Sequence, residues 1–113
     1  MEHKIEENGT VTTLTLDGDL TIEHAAALKK ILATVLFEST QTVVCLDNVR
    51  CMDLSCIQLF CAANRSFENT KKRLTPQIGN SDVIESALLE AGFSSSGECP
   101  ENFCEKCFWK GEV

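Results

Sequence analysis

Three cysteines near the C-terminal end carry the most distinctive spacing in this 113-residue chain: Cys99-x4-Cys104-x2-Cys107. Two thiolates separated by two residues bite well on a single metal ion, and a closed zinc site takes four such ligands. The local sequence offers three, so a fourth would come from Cys51, Cys61, His3, His24 or a second chain. Two other readings stand beside zinc: free thiols on a loose tail, or a redox disulfide between Cys104 and Cys107. No cofactor is expected, and zinc is the one metal the spacing would admit.

A second group is Asp53-Leu54-Ser55-Cys56-Ile57-Gln58. A carboxylate just ahead of a helix accepts bonds from free N–H groups of the first turn, which makes Asp53 a candidate cap. Ser55 and Gln58 also fit the S-x-x-Q capping box. His24 stands alone, with no Ser–His–Asp or Cys–His partners at a defensible spacing. The glycines (Gly9, Gly18, Gly79, Gly92, Gly97, Gly111) are scattered and build no phosphate loop. The expectation is a protein without catalytic activity.

The bulk numbers fit that expectation. The length suits one domain with a sheet and helices around a single core. A formal charge of −7 repels phosphate backbones and anionic lipid, which argues against nucleic-acid and membrane partners. The apolar runs fall far short of a bilayer span, and no signal-like h-region follows Met1-Glu2-His3-Lys4. A cytoplasmic location is expected. Seven cysteines cannot all pair internally, so reduced thiols are the default. Cys45, Cys51, Cys56 and Cys61 sit among Val, Leu, Ile and Phe and are expected to serve as small hydrophobes.

The elements that would position these groups are read from periodicity. Residues 4–8 and 11–17 form a hairpin around Asn8-Gly9, with Leu14 and Leu16 facing the core and Gly18-Asp19 ending the second strand. Thr21 caps a helix over 22–38, with Ala25, Leu28, Ile31, Leu32, Val35 and Leu36 inward. The run 42–46 suits a short strand buried on both faces, ended by Asp47-Asn48. A second helix starts near Asp53–Ser55 and ends near Asn69. A weak strand over 72–78 contains Pro76, which belongs at a sheet edge or end. Asn80-Ser81-Asp82 caps a helix over 82–91, closed by Gly92 in a left-handed conformation with Phe93 beyond. The order ββαβαβα implies an α/β fold with a mixed, mostly parallel sheet of about four strands. Residues 1–93 form the domain. Residues 94–113 form a Ser/Gly link and a Cys- and aromatic-rich tail, and Phe103, Phe108 and Trp109 are expected to pack it on the body.

Four segments resemble the STAS domain family. Leu16-Asp17-Gly18-Asp19-Leu20-Thr21 is similar to the family's "GELT" approach to the first helix. Val43-Val44-Cys45-Leu46-Asp47-Asn48-Val49 resembles its "VVLDLSGV" strand and turn, and Met52 to Leu59 its hallmark "IDSAGLQLL". Ile84 to Phe93 is similar to the closing "VLELAGF" helix. The family includes anti-sigma-factor antagonists, chemotaxis-associated regulators and the STAS subunit of a lipid-transport complex. The resemblance implies partner switching, in which an unphosphorylated domain binds an anti-sigma-factor-like serine kinase and phosphorylation after the hallmark Asp releases it. Here that position is Leu54, which has no oxygen, so the switch is either lost or moved to Ser55. Cys56 stands where the family has Gly. The expected docking face comprises Asp53, Leu54, Ser55 and Gln58, beside Asp19 and Thr21, because strand-to-helix loops converge at one sheet edge. The other readings are a thiol-based metal or redox sensor on the same fold, and a STAS subunit of a transporter or signalling complex. The oligomeric state is left open.

Overall fold

A computed structural model describes residues 1–78, 82–92 and 108–110. Four strands, β1 (Glu2–Asn8), β2 (Val11–Leu20), β3 (Gln41–Met52) and β4 (Arg73–Gln77), lie in the spatial order β1-β2-β3-β4. β1 and β2 are antiparallel, while β2–β3 and β3–β4 are parallel. Three helices follow the strands: α1 (Ala25–Glu38), α2 (Leu54–Asn69) and α3 (Asp82–Glu90). The fold is therefore α/β with a mixed four-stranded sheet.

The hairpin forms where two loop residues, Gly9 and Thr10, link the paired Asn8 and Val11. Gly9 has φ +64°, a conformation that costs glycine nothing. Beyond it, alternation decides which side chains go inside. Thr12, Leu14, Leu16 and Leu20 of β2 are buried, as are Thr42, Val44 and Leu46 of β3. The leucines and Val44 among them join Leu28, Leu32 and Val35 of α1, Ile57, Phe60 and Phe67 of α2, and Ile84 of α3 in one core. The intervening residues, Thr13, Thr15, Val43 and Cys45, are only half-buried. This corrects the expectation that β3 is buried on both faces: one face lies on the core and the other meets solvent.

Two expected strand ends are also corrected. Gly18-Asp19 does not stop β2, and Asp47-Asn48 does not stop β3. Register shifts between Thr15 and Asp17 and between Gly18 and Asp19 let the pair continue to Leu20–Met52. An extra residue absorbed in one strand bends it without ending the ladder, and the polar residues fall at the irregularity. The gain is burial of Leu20, Val49 and Met52 at the far end. β4 lies at the sheet edge, where the missing N–H of Pro76 is tolerated.

The first helix begins differently from the expected 22–38 span. Ile22–His24 is a 3-10 turn, and α1 proper starts at Ala25. Gly92 follows α3 with φ +96°, its N–H donating to the Leu89 carbonyl at 3.1 Å. The Asn80-Ser81 cap, Phe93, the 94–97 link and Phe103 lie outside the described residues. Of the C-terminal aromatics, Phe108 and Trp109 are both buried. The Phe108 ring stacks on Phe60 at a centroid distance of 5.4 Å, and Trp109 meets both rings edge-on. Such geometry satisfies the ring quadrupoles and ties this short turn to α2.

Candidate functional site

The site is built where β2 and β3 hand over to their helices. Leu20 and Met52 are register partners at the strand ends, so Thr21 and Asp53 emerge side by side. The Asp53 N–H donates to the Leu20 carbonyl at 3.0 Å and locks the two chain segments together.

Asp53 is the N-cap of α2, with extended backbone and a side chain accepting from the Cys56 N–H at 3.3 Å. Its other carboxylate oxygen accepts from the Ile22 N–H at 2.7 Å. One carboxylate therefore serves the first turns of two helical segments. Thr21 occupies the N-cap position of the first helical segment, as expected, with extended backbone, but its side chain makes no cap bond. Its backbone carbonyl does the work, accepting from His24 N–H at 2.8 Å and from the Cys56 thiol at 3.6 Å.

Ser55 is the second residue of α2 and not its cap, so the Ser55-x-x-Gln58 capping box is corrected as well. The helix begins two residues too early for it. The Ser55 hydroxyl instead donates to Asp53 Oδ1 at 2.5 Å. Burial pushes the Asp53 carboxyl up, but the donors from Ser55, Ile22 and Cys56 outweigh it and hold the group below the usual carboxylate range.

Two large apolar side chains flank this hub in solvent. Leu54 is 51% exposed and Ile22 is 68% exposed. Gln58 is exposed one turn further along α2. Asp19 lies just behind, paired with Arg50 Nε at 3.6 Å. Of the expected set, Asp53, Leu54, Ser55 and Thr21 come together in direct contact or adjacency, Gln58 follows on the same helix, and Asp19 faces Arg50 and Cys51. The reading of the residues missed Ile22 and Arg50. Ile22 carried a signal: it is an apolar residue out of step with the Leu28, Leu32, Val35 stripe.

The body cysteines do not form one class. Cys56 is buried, Cys45 and Cys61 are half-buried, and Cys51 is exposed, which corrects its reading as a core hydrophobe. Burial pushes the Cys56 thiol up. Local desolvation, then the hydrogen bond to Asp19, pushes the Cys51 thiol up. Both are held as poorly nucleophilic thiols near neutral pH. Cys99, Cys104 and Cys107 lie outside the described residues. Among the described residues no group of three or more His, Cys, Asp or Glu side chains is placed to hold a metal ion.

A mixed sheet in the order β1-β2-β3-β4, with a helix after each of its last three strands, defines a small α/β domain. The family described as "Mlab, STAS domain" matches residues 3–93, and the chain belongs to the STAS family. Solved structures agree on the fold. The Bacillus cell fate determinant SpoIIAA in its phosphorylated form is 17% identical, with a TM-score of 0.62, covering 80% of this chain and 84% of that one. An anti-sigma factor antagonist from Mycobacterium paratuberculosis is 13% identical, with a TM-score of 0.67 over 80% of this chain and 77% of that one. A structure of Mglu is 19% identical, with a TM-score of 0.61 over 68% of this chain, and there the match spans only 19% of the longer chain. A search of curated proteins returned no match.

Proposed function

We propose that the chain is a non-catalytic regulatory module of the cytoplasm that docks a protein partner on the rim formed by Ile22, Leu54, Ser55 and Gln58. The observation that carries this reading is the pair of exposed apolar side chains on either side of a rigid hub. Ile22 and Leu54 stay in solvent while Asp53 fixes the backbone beneath them. A pre-ordered apolar pair loses little freedom on association, which favours binding. Family membership and the fold shared with anti-sigma factor antagonists support partner switching as the mode of action. A serine kinase of the anti-sigma-factor type fits that mode as partner. No step needs a metal, and zinc on Cys99, Cys104 and Cys107 is a separate proposal for metal analysis of purified protein.

Regulation through Ser55 follows from its bond. Phosphorylation removes the hydroxyl donor and sets about −1.5 to −2 charges beside the Asp53 carboxylate. The repulsion would act on the group that holds both Ile22 and the start of α2. Leu54, in the place where the family carries its phosphoacceptor, has no such route.

The test is affinity capture from the source cell with the whole chain as bait, followed by binding measurements on what is recovered. Leu54→Arg is expected to abolish binding with an unchanged melting temperature. Ser55→Glu is expected to weaken it. Retained binding by Leu54→Arg would place the partner elsewhere, and unfolding would show that Leu54 is needed by the core.

A further inference from the structure

β1 is an edge strand whose seven residues are all exposed. Among the described residues its outer row of N–H and C=O groups has no neighbouring strand, and such an edge is a template for another strand. The sequence along it, Glu2-His3-Lys4-Ile5-Glu6-Glu7-Asn8, has an internal order that bears on which strand would fit.

Residues directly opposite one another in an antiparallel pair share a face, so a strand pairing with its own copy shifts register only in steps of two. Three registers keep most of β1 paired. With the two-fold axis at Lys4, Lys4 faces Lys4 and Glu2 faces Glu6. With the axis at Glu6, Glu6 faces Glu6. With the axis at Ile5, every residue is paired, Lys4 faces the second copy's Glu6 twice over, and His3 faces the second copy's Glu7 twice over. Ile5 faces Ile5, and Glu2 faces Asn8. Only the Ile5 register sets no like charges directly opposite, an arrangement that destabilises a sheet.

The faces agree with this register. Lys4 and Glu6 pair with Thr15 and Thr13 on the half-exposed side of the sheet, where their side chains already meet at 3.3 Å. Ile5 pairs with the fully buried Leu14 on the helix side, yet Ile5 itself is 39% exposed at the rim of the core. A second Ile5 across the axis would cover it and extend the apolar layer.

We infer that β1 pairs antiparallel with β1 of a second copy about a two-fold axis at Ile5, joining two sheets into one of eight strands. The interface is isologous and closes on itself, as two-fold pairs do. It leaves the Ile22–Leu54 rim free, so it stands apart from the partner-docking reading.

The test is sedimentation equilibrium of the whole chain over micromolar to millimolar concentration. The expected result is a monomer–dimer equilibrium. Lys4→Glu turns two attractive pairs into repulsive ones and is expected to raise the dimer dissociation constant roughly tenfold or more. Glu6→Lys should weaken it similarly, and the Lys4→Glu, Glu6→Lys double variant should return it to within about threefold of the parent. Both side chains are exposed, so each variant should keep the parent's melting temperature when both are dilute enough to be monomeric. A monomer at all concentrations overturns the inference and makes these charges a guard against edge pairing. A dimer indifferent to Lys4→Glu, a double variant that fails to recover, or a dimer lost with Leu54→Arg also overturns it.

Discussion

The two strand-to-helix junctions of this domain solve the same problem in different ways. After β3 the chain turns into α2 within one residue, and the cap is local: Asp53 accepts from Cys56, three residues on. After β2 the chain passes through a 3-10 turn before α1, with no side-chain cap at Thr21 or at His24. Its first free N–H, that of Ile22, is satisfied from the other junction by Asp53. The first N–H groups of any helix need partners. Here one anion near two positive helix starts meets both needs. The lesson is that stability and the shape of the rim converge on a single carboxylate, whereas the first junction depends on a neighbour 31 residues away.

The sharpest way to break the comparison is Asp53→Ala. A lost N-cap costs about 0.5–2 kcal/mol, and loss of the Ile22 acceptor adds to it, so about 2 kcal/mol is expected by urea denaturation. The variant should also loosen the Thr21–Ile22 segment, seen as faster hydrogen exchange at the Ile22 amide. A loss confined to the start of α2, with Ile22 still protected, would show the junctions to be independent.

Acid should act on the same group more gently. Because the folded protein holds the Asp53 carboxyl below its ordinary value of about 3.9, the ionised form favours folding. That contribution is complete above the unfolded-chain value and is lost as pH falls through the folded value. Stability measured from pH 6 down to pH 2 should therefore decline below about pH 4 partly through Asp53. Asp53→Asn should be less stable than the parent near neutrality, and the gap should close in acid. A gap that stays constant with pH would mean that the charge on Asp53 contributes nothing.

What the residues alone revealed follows the range of each interaction. The element order, the inward Leu14 and Leu16, the α2 cap at Asp53 and the edge position of Pro76 all rest on contacts within a few residues or on period. Those are written locally. The continuations of β2 and β3 were not legible, because Gly18-Asp19 and Asp47-Asn48 are turn-forming residues in isolation. They become strand residues only when two neighbours share an irregular register. The false Ser55–Gln58 box failed for a related reason. Two acceptable caps stood two residues apart, and the bond to Ile22 favours Asp53. The half-exposed outer face of β3 was hidden because an apolar β-branched run reads alike whether one side or both are covered.

The smallest expected effect sharpens the comparison from the other side. Thr21 sits at the start of the first helical segment with a residue type that caps well, yet its hydroxyl makes no cap bond. What the position contributes is its carbonyl, which accepts from the His24 N–H and the Cys56 thiol. Both bonds use backbone oxygen and survive any substitution that keeps the extended backbone, here φ −123° and ψ 173°. Alanine adopts that conformation freely, although it gives up the modest preference of a β-branched residue for it. Thr21→Ala should therefore change unfolding free energy by less than about 0.5 kcal/mol. A loss near 1 kcal/mol would instead mean that the Thr21 hydroxyl caps the turn in solution. The two junctions would then be capped alike, each by its own residue.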